Sequence, residues 1–446
     1  MNWLSTIWRM PDLRSRILFT LGMLAVFRLG VHVPAPGVDR EGLAAFLTGG
    51  GGTMFGLYNM FSGGALQQFS VLVLGIMPYI TASIIIQILT VVFPPLERLS
   101  KEGQQGRGKI TQYTRYATLG IALVQSFTLA VGFERMTTPV GTPVVLDPGL
   151  RFQLLTMATL TAGSCFVMWL GEQITERGVG NGSSLIITAG IVAGLPQAVV
   201  VLFEQVKNGD MDLLAVTLIG IGAIVVIGLI VWMERAQRRI PIQYAKRVVG
   251  RRVYGGQTTH LPLKINTTGV IPPIFASTVL MLPATLKTLL PTNPAVDAVT
   301  TALTPGHWLY DYAFVGLIVF IAYFYTALMF NPVDVADNLK KNGGYVPGVR
   351  PGKQTAEYLD QILTRLTGAG ALYLAVLCIL PTVLITQYNL PFYFGGTGLL
   401  IVVGVSLDTV AQIESQLLTR HYDGLSGPNG GPRAGRRSMA PSGMPG

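Results

Sequence analysis

The sequence predicts an all-α polytopic membrane protein, with ten transmembrane helices in two pseudo-symmetric five-helix halves and one short re-entrant helix. Three observations predict it. Only 12% of the 446 residues are charged, about half of what a soluble protein carries, while 50% are hydrophobic. The apolar residues sit in long runs rather than at amphipathic spacing, and the mean hydropathy is +0.50. The basic residues collect in alternate loops, as they do when sidedness is set by charge.

The spans follow in order. A helix needs about 20 apolar residues to cross roughly 30 Å of hydrocarbon, and open sheet edges there would leave backbone groups unpaired. The runs that meet this length lie near 16–33, 74–93, 115–133, 153–171, 184–203, 213–233, 269–290, 310–330, 369–386 and 393–414. Ten spans place both termini on one side. Of the 32 Lys and Arg, only Arg40, Arg135, Arg151, Lys207 and Lys287 fall in far-side loops, with Arg28 inside the first span. The termini are therefore expected in the cytoplasm. The first run is followed by Pro34-Ala35-Pro36-Gly37 rather than a small-x-small cleavage site, so it is expected to stay as a span.

Organisation follows from this count. The chain divides into an N-terminal half over 1–207 and a C-terminal half over 208–423, joined by an outward loop near 204–212, and an inverted repeat is expected. The tail 424–446, rich in Gly, Pro and Ser, is expected to be disordered. Two cytoplasmic loops, 234–266 and 331–366, are too long and too basic for connectors. Topogenic charge needs only a few Lys or Arg; the excess points to a docking surface for a cytosolic partner.

Several chemistries are excluded. Gly103 and Gly108-Lys109 have the interval of a phosphate-binding loop, but Ile110 stands where Ser or Thr must hold magnesium, and a helix precedes the segment where a strand is needed. The four histidines are scattered, the two cysteines lie in apolar runs as packing residues, and no Ser/His/Asp set gathers on one side. Neither enzyme activity, cofactor nor metal is expected. Intramembrane charge is scarce, with Arg28 and Asp408 the clearest cases. Both read as structural, Arg28 by snorkelling toward the outer surface.

The informative segment is FSGGALQQFSVLVLGIMPYITASIIIQIL at 61–89. Phe61 to about Ser70 is too short and polar to span, opens on Gly63-Gly64, and runs into Gly75 and Pro78, which loosen or restart a helix. It reads as a piece tucked back into protein or a wet cavity. At 100° per residue, Ile76, Ile80, Ser83, Gln87 and Thr90 then share one line, so one face passes from branched apolar to polar. A helix–helix contact with Ser83 and Gln87 as hydrogen-bonders is one reading; a wet funnel above a dry constriction is the other.

The chain resembles the SecY family, the channel subunits of the bacterial Sec translocon, over about 8–420. The resemblance rests on YNMFSGGA at 58–65, GIMPYITASIIIQIL at 75–89, KEGQQGRGKITQYTRY at 101–116, WLGEQITERGVGNG at 169–182, the basic stretch 237–266, ADNLKKNGGYVPGVRPGKQT at 336–355 and PFYFGGTGLLIVV at 391–403. It implies a clamshell hinged outside between the fifth and sixth spans. The family's pore ring falls on Ile76, Ile80, Ile187, Ile274 and Ile401, with a further position at Ser183, where the family often has an apolar residue. The plug falls on about 62–70, with Ser62, Gly63, Gly64, Ala65 and Leu66 at its front. The lateral gate lies between spans two and three and spans seven and eight, with Ser83, Gln87, Gln125, Ser277 and Thr278 as polar contacts. Arg251, Arg252, Lys340, Lys341 and Arg350 would dock the motor ATPase SecA or the ribosome. The implied partners are the small membrane subunits SecE and SecG, SecA, the ribosome, unfolded preproteins bearing signal sequences, and membrane lipid, in a bacterial inner membrane. A secondary transporter for a small solute is the rival reading, and it requires convergent polar groups at mid-membrane.

Overall fold

The structure is a computed structural model, and it describes residues 10–39, 42–43, 59, 62–136, 143–209, 212–244, 247–249, 252–254, 258–289, 294–303, 307–388 and 396–426. Residues 427–446, most of the expected disordered tail, lie outside the described residues.

Helices dominate. They are α1 Pro11–Val31, α2 Met77–Val92, α3 Pro94–Lys101, α4 Gln104–Glu134, α5 Leu150–Arg177, α6 Gly182–Asn208, α7 Leu213–Arg235, α8 Ile271–Leu289, α9 Pro294–Ala302, α10 Trp308–Met329, α11 Pro332–Lys341, α12 Lys353–Tyr388 and α13 Gly396–Ser426. Each of the ten expected spans has its helix. Seven are long and apolar enough to cross a membrane, eight if the bent pair α2–α3 counts as one span. The other two are α1 and α8. α1 carries Asp12, Arg14, Arg16 and Arg28; in α8 the apolar stretch Ile271–Leu280 is the continuous part whose side chains are described.

The 99° bend between α2 and α3 comes from Pro94 and Pro95. Proline disfavours the helical region for its predecessor, and Phe93 is extended at φ −105° and ψ 109°. The chain therefore leaves the apolar run abruptly and enters a short charged helix.

α1 packs on α5 and α6, α2 on α4, and α4 on α5; in the second half α8 packs on α10, α10 on α12, and α12 on α13. The two sets meet where α4 touches α8 and where α6 touches α13 and α7. α13 runs to Ser426, slightly past the boundary expected at residue 423.

Two features differ from expectation. The segment 62–76 is a run of turns rather than a short helix. Gly63 (φ +69°), Gly64 (φ +87°), Phe69 (φ +43°) and Gly75 (φ +53°) all leave the right-handed region, so no helical ladder can form across them. The all-α expectation also needs an addition. The two long loops build a three-stranded sheet in the order β4-β1-β5 from Gln237–Tyr244 (β1), Thr258–Lys264 (β4) and Gly344–Tyr345 (β5), beside a hairpin of Arg247–Val249 (β2) and Arg252–Tyr254 (β3). β1 runs antiparallel to β4, Ile240 facing Leu261 and Pro241 facing His260, while Gln243 pairs with Tyr345 of the second loop. Ile240, Leu263, Val346, Leu359 and Ile362 form the sheet's own small core.

Candidate functional site

The site grows from the starts of four helices. Ile76 is the N-cap of α2, Ile274 lies in the first turn of α8, and Ile187 and Ile401 each follow shortly after the starts of α6 and α13. Each half of the chain thus contributes its second and its fifth span. The four side chains converge in one apolar cluster, 1–6% exposed, with Ile80 partly buried against it. Branched side chains that offer no hydrogen-bonding group make a constriction that neither water nor an ion wets favourably.

Ser183, which the resemblance adds to the ring, is engaged in a local contact. It lies in the first turn of α6, where its Oγ donates to Asn181 Oδ1 at 2.7 Å and its backbone N–H to the same oxygen at 3.1 Å. It belongs to the helix cap.

The re-entrant segment closes one side of the cluster. Ala65 is fully buried within it, and the neighbouring Leu66 is fully buried in a second cluster with Phe69 and Phe133. Those two rings meet edge to face, centroids 5.1 Å apart. Asn59 organises the turn: its carbonyl accepts from Gly64 N–H at 2.9 Å and from Ser62 Oγ at 3.2 Å, and its Oδ1 accepts from Gln67 N–H at 3.1 Å. Gly63 has no room for a side chain, since a Cβ there would stand 2.8 Å from Gly190 Cα of α6. The segment returns along the end of α1, where Ala35 N–H donates to the Phe69 carbonyl at 2.7 Å and Val71 N–H to the Val33 carbonyl at 2.9 Å.

Arg28 corrects the snorkelling expectation. Its Nη1 donates to the Gly63 carbonyl at 2.8 Å, turning inward to the re-entrant segment. Asp408 instead faces Lys264 at 3.5 Å, both side chains largely exposed.

Along α2 the residues of the expected stripe differ in exposure, and Ile84 and Ile86, off the stripe, are buried. Ile76 is buried, Ile80 and Ser83 are half-buried, and Gln87 is exposed. On α4, which touches α8, Gln125 Oε1 is buried and has no hydrogen-bond partner. Ser277 and Thr278 both donate to the Ile274 carbonyl of their own helix, at 2.8 and 2.9 Å. The five polar residues expected to face one another thus include three whose polar atoms are unpaired or turned to their own backbone.

On the loops, Lys340 and Lys341 end α11 and are exposed, as is Arg350. Arg252 lies in β3; its side chain, and the whole of Arg251, are outside the described residues. Sequence reasoning missed the sheet that joins the loops. It also missed the bidentate pair in which Arg115 Nε and Nη2 donate to the Glu172 carboxylate at 2.9 and 2.7 Å, tying α4 to α5. An Arg and a Glu 57 residues apart on two helices carry no pairing signal in sequence.

Comparison with known proteins meets this geometry. The family model described as SecY matches residues 70–410. The protein translocase subunit SecY of Escherichia coli (strain K12) is 49% identical over 415 residues, covering 92% of this chain and 93% of that one. That of Aquifex aeolicus (strain VF5) is 48% identical over 422 residues, covering 94% and 98%. Among solved structures, a protein-conducting channel aligns with a TM-score of 0.64 at 17% identity, over 96% of this chain and 99% of the other. Sec61 in a canine ribosome-channel complex aligns at 0.61 and 16%, with the same coverage. With isoleucines from both halves meeting over a re-entrant segment, and with relatives aligned nearly end to end, the chain belongs to the SecY family.

Proposed function

We propose that this chain is the channel-forming subunit of the protein translocon, a conduit and not an enzyme, through which unfolded preproteins cross the membrane and from which apolar segments leave sideways into lipid. The observation that carries this is the meeting of Ile76, Ile187, Ile274 and Ile401 from four spans, with Ala65 of the re-entrant segment in the same cluster. A transporter for a small solute would instead gather polar groups there.

The mechanism follows from the physics of that waist. Isoleucine closes on itself when the path is empty, grips no passing side chain strongly, and holds no ion. The residues at 62–66 act as the plug on its outer side. Ser183 belongs to the cytoplasmic funnel rather than to the ring. The lateral gate runs along the seam of α4 with α8, with Ser83 and Gln87 of α2 at its mouth. A signal sequence prefers lipid by several kcal/mol summed over its apolar residues, so an opening seam lets it partition outward.

The driving force comes from outside the chain. The basic surface of the two loops, with Arg251, Arg252, Lys340, Lys341 and Arg350, suits the acidic or RNA surfaces of SecA and the ribosome. A ribosome partner is supported by the likeness in fold to ribosome-bound Sec61 and Ssh1 channels; SecA, SecE and SecG are assigned through family membership. The two halves, 1–207 and 208–423, work as the shells of a clamshell, in a bacterial inner membrane with both termini in the cytoplasm.

Photocrosslinking tests the path. A crosslinker at position 187 should capture an arrested secretory precursor, and one at a lipid-facing position such as 224 should not. Capture from 224 and none from 187 would sink the central pore.

A further inference from the structure

The re-entrant segment is held by two kinds of bond, and only one belongs to a charged side chain. Its return limb is sewn to the end of α1 by main-chain pairs, Ala35 with Phe69 and Val33 with Val71, and by the Ser70 hydroxyl, which donates to the Gly30 carbonyl at 3.0 Å. Its front limb, where Gly63 touches α6, is met by the guanidinium of Arg28. We infer that Arg28 is the positioning residue that latches the plug, its guanidinium holding the Gly63 carbonyl against α6 and releasing it when water enters; this rests on the channel reading above.

The geometry makes the contact selective. Gly63 reaches the guanidinium only because its backbone is left-handed (φ +69°) and bears no Cβ, so that it can lie against the backbone of Gly190. Any other residue would lift the carbonyl off its donor. Arg28 in turn sits in the last turn of α1, where a cation is favoured by the helix dipole. The charge thus has a reason to stay there when the plug is gone, and the latch can re-form.

The strength of the latch depends on dryness. The guanidinium is half-buried against the segment, and where protein and lipid keep water from it, parting it from its acceptor leaves a charge without a replacement partner, which favours the closed form. Once a translocating chain wets the outer side of the waist, water offers equivalent acceptors and the same contact is worth little. Opening of the waist and release of the plug therefore reinforce each other.

The test uses the assembled complex in proteoliposomes, with Cys165→Ala and Cys378→Ala, and a thiol introduced by Ala65→Cys, at a position fully buried when the plug is shut. Two quantities are read: the rate at which a membrane-impermeant maleimide modifies position 65, and the resting chloride leak. Arg28→Gln should raise both about tenfold, as expected from losing one hydrogen bond to a charged group. Arg28→Lys, which keeps the charge on a shorter arm, should fall in between. In a chain lacking residues 62–66, Arg28→Gln should add no further leak; added leak there would mean that Arg28 merely supports α1, and would overturn the proposal. An unchanged modification rate in well-assembled Arg28→Gln overturns it as well. If Arg28→Gln does not assemble, Gly63→Ala is read instead, with the same rise expected and an unchanged rate equally fatal. Ile187→Asn is the separate control: a large leak from it with none from Arg28→Gln removes the latch alone, whereas no leak from Ile187→Asn removes the channel reading beneath it.

Discussion

At the scale of single residues, an apolar stripe and an ion pair differ in how far they can be read in advance. The isoleucine stripe was legible because period and chemistry coincide: Ile76 and Ile80 line up with Ser83 and Gln87 at helical spacing. Ile187, Ile274 and Ile401 carry no such local mark, for each is one apolar residue among many, and only resemblance singled them out. The Arg115–Glu172 pair had no mark at all. Its carboxylate is nearly buried, the side chain 11% exposed, while the guanidinium is 46% exposed, so solvent weakens the pair. A double-mutant cycle of Arg115→Leu and Glu172→Leu should return a coupling of about 1 kcal/mol in unfolding of the detergent-solubilised complex. Additive effects would show that the two side chains are independent.

At the scale of elements, the helices were legible and the irregular pieces were not. Ten apolar runs became ten helices because hydrocarbon permits little else. The re-entrant segment was found from its glycines but taken as helical, since sequence gives the places where a chain can turn and not how many turns it takes. The sheet escaped notice because Pro241 and Pro262 sit in its strands, and proline argues against a central strand. β1 tolerates Pro241 because β5 pairs only with Gln243 and Tyr244, leaving that side of the strand unpaired at residue 241. α4, one of the helices proposed to form the gate, carries a cost of another sort. Gln125 Oε1 is buried without a partner, a penalty of about 1–3 kcal/mol that leucine would not incur. Gln125→Leu should therefore tighten the closed seam and slow export of precursors with weakly apolar signal sequences, while strongly apolar ones are less affected. Equal export rates for both classes in that variant would remove the seam from the gate.

At the scale of the whole molecule, each half supplies the starts of its second and fifth spans to one waist, and the two long loops are fastened together by the β1–β5 pairing. Charge on one loop is thus presented on a body shared with the other. Arg350→Glu should weaken motor-driven export while the variant itself still inserts in the membrane at normal levels; unimpaired export would take the loop out of the docking surface. The count of spans and the alternation of charge are what point to two halves. How the halves touch was not legible, because lipid-facing and protein-facing residues on an apolar helix are chemically alike.

The main-chain stitching between Ala35 and Phe69 and between Val33 and Val71 has a kinetic consequence. Gly63 is six chain steps from Phe69, so the displaced front can stray no more than about 20 Å. Confined to so small a volume, it faces its seat at an effective concentration in the millimolar range. Resealing after a chain has passed is then a unimolecular event, with a half-time indifferent to how many copies the membrane holds.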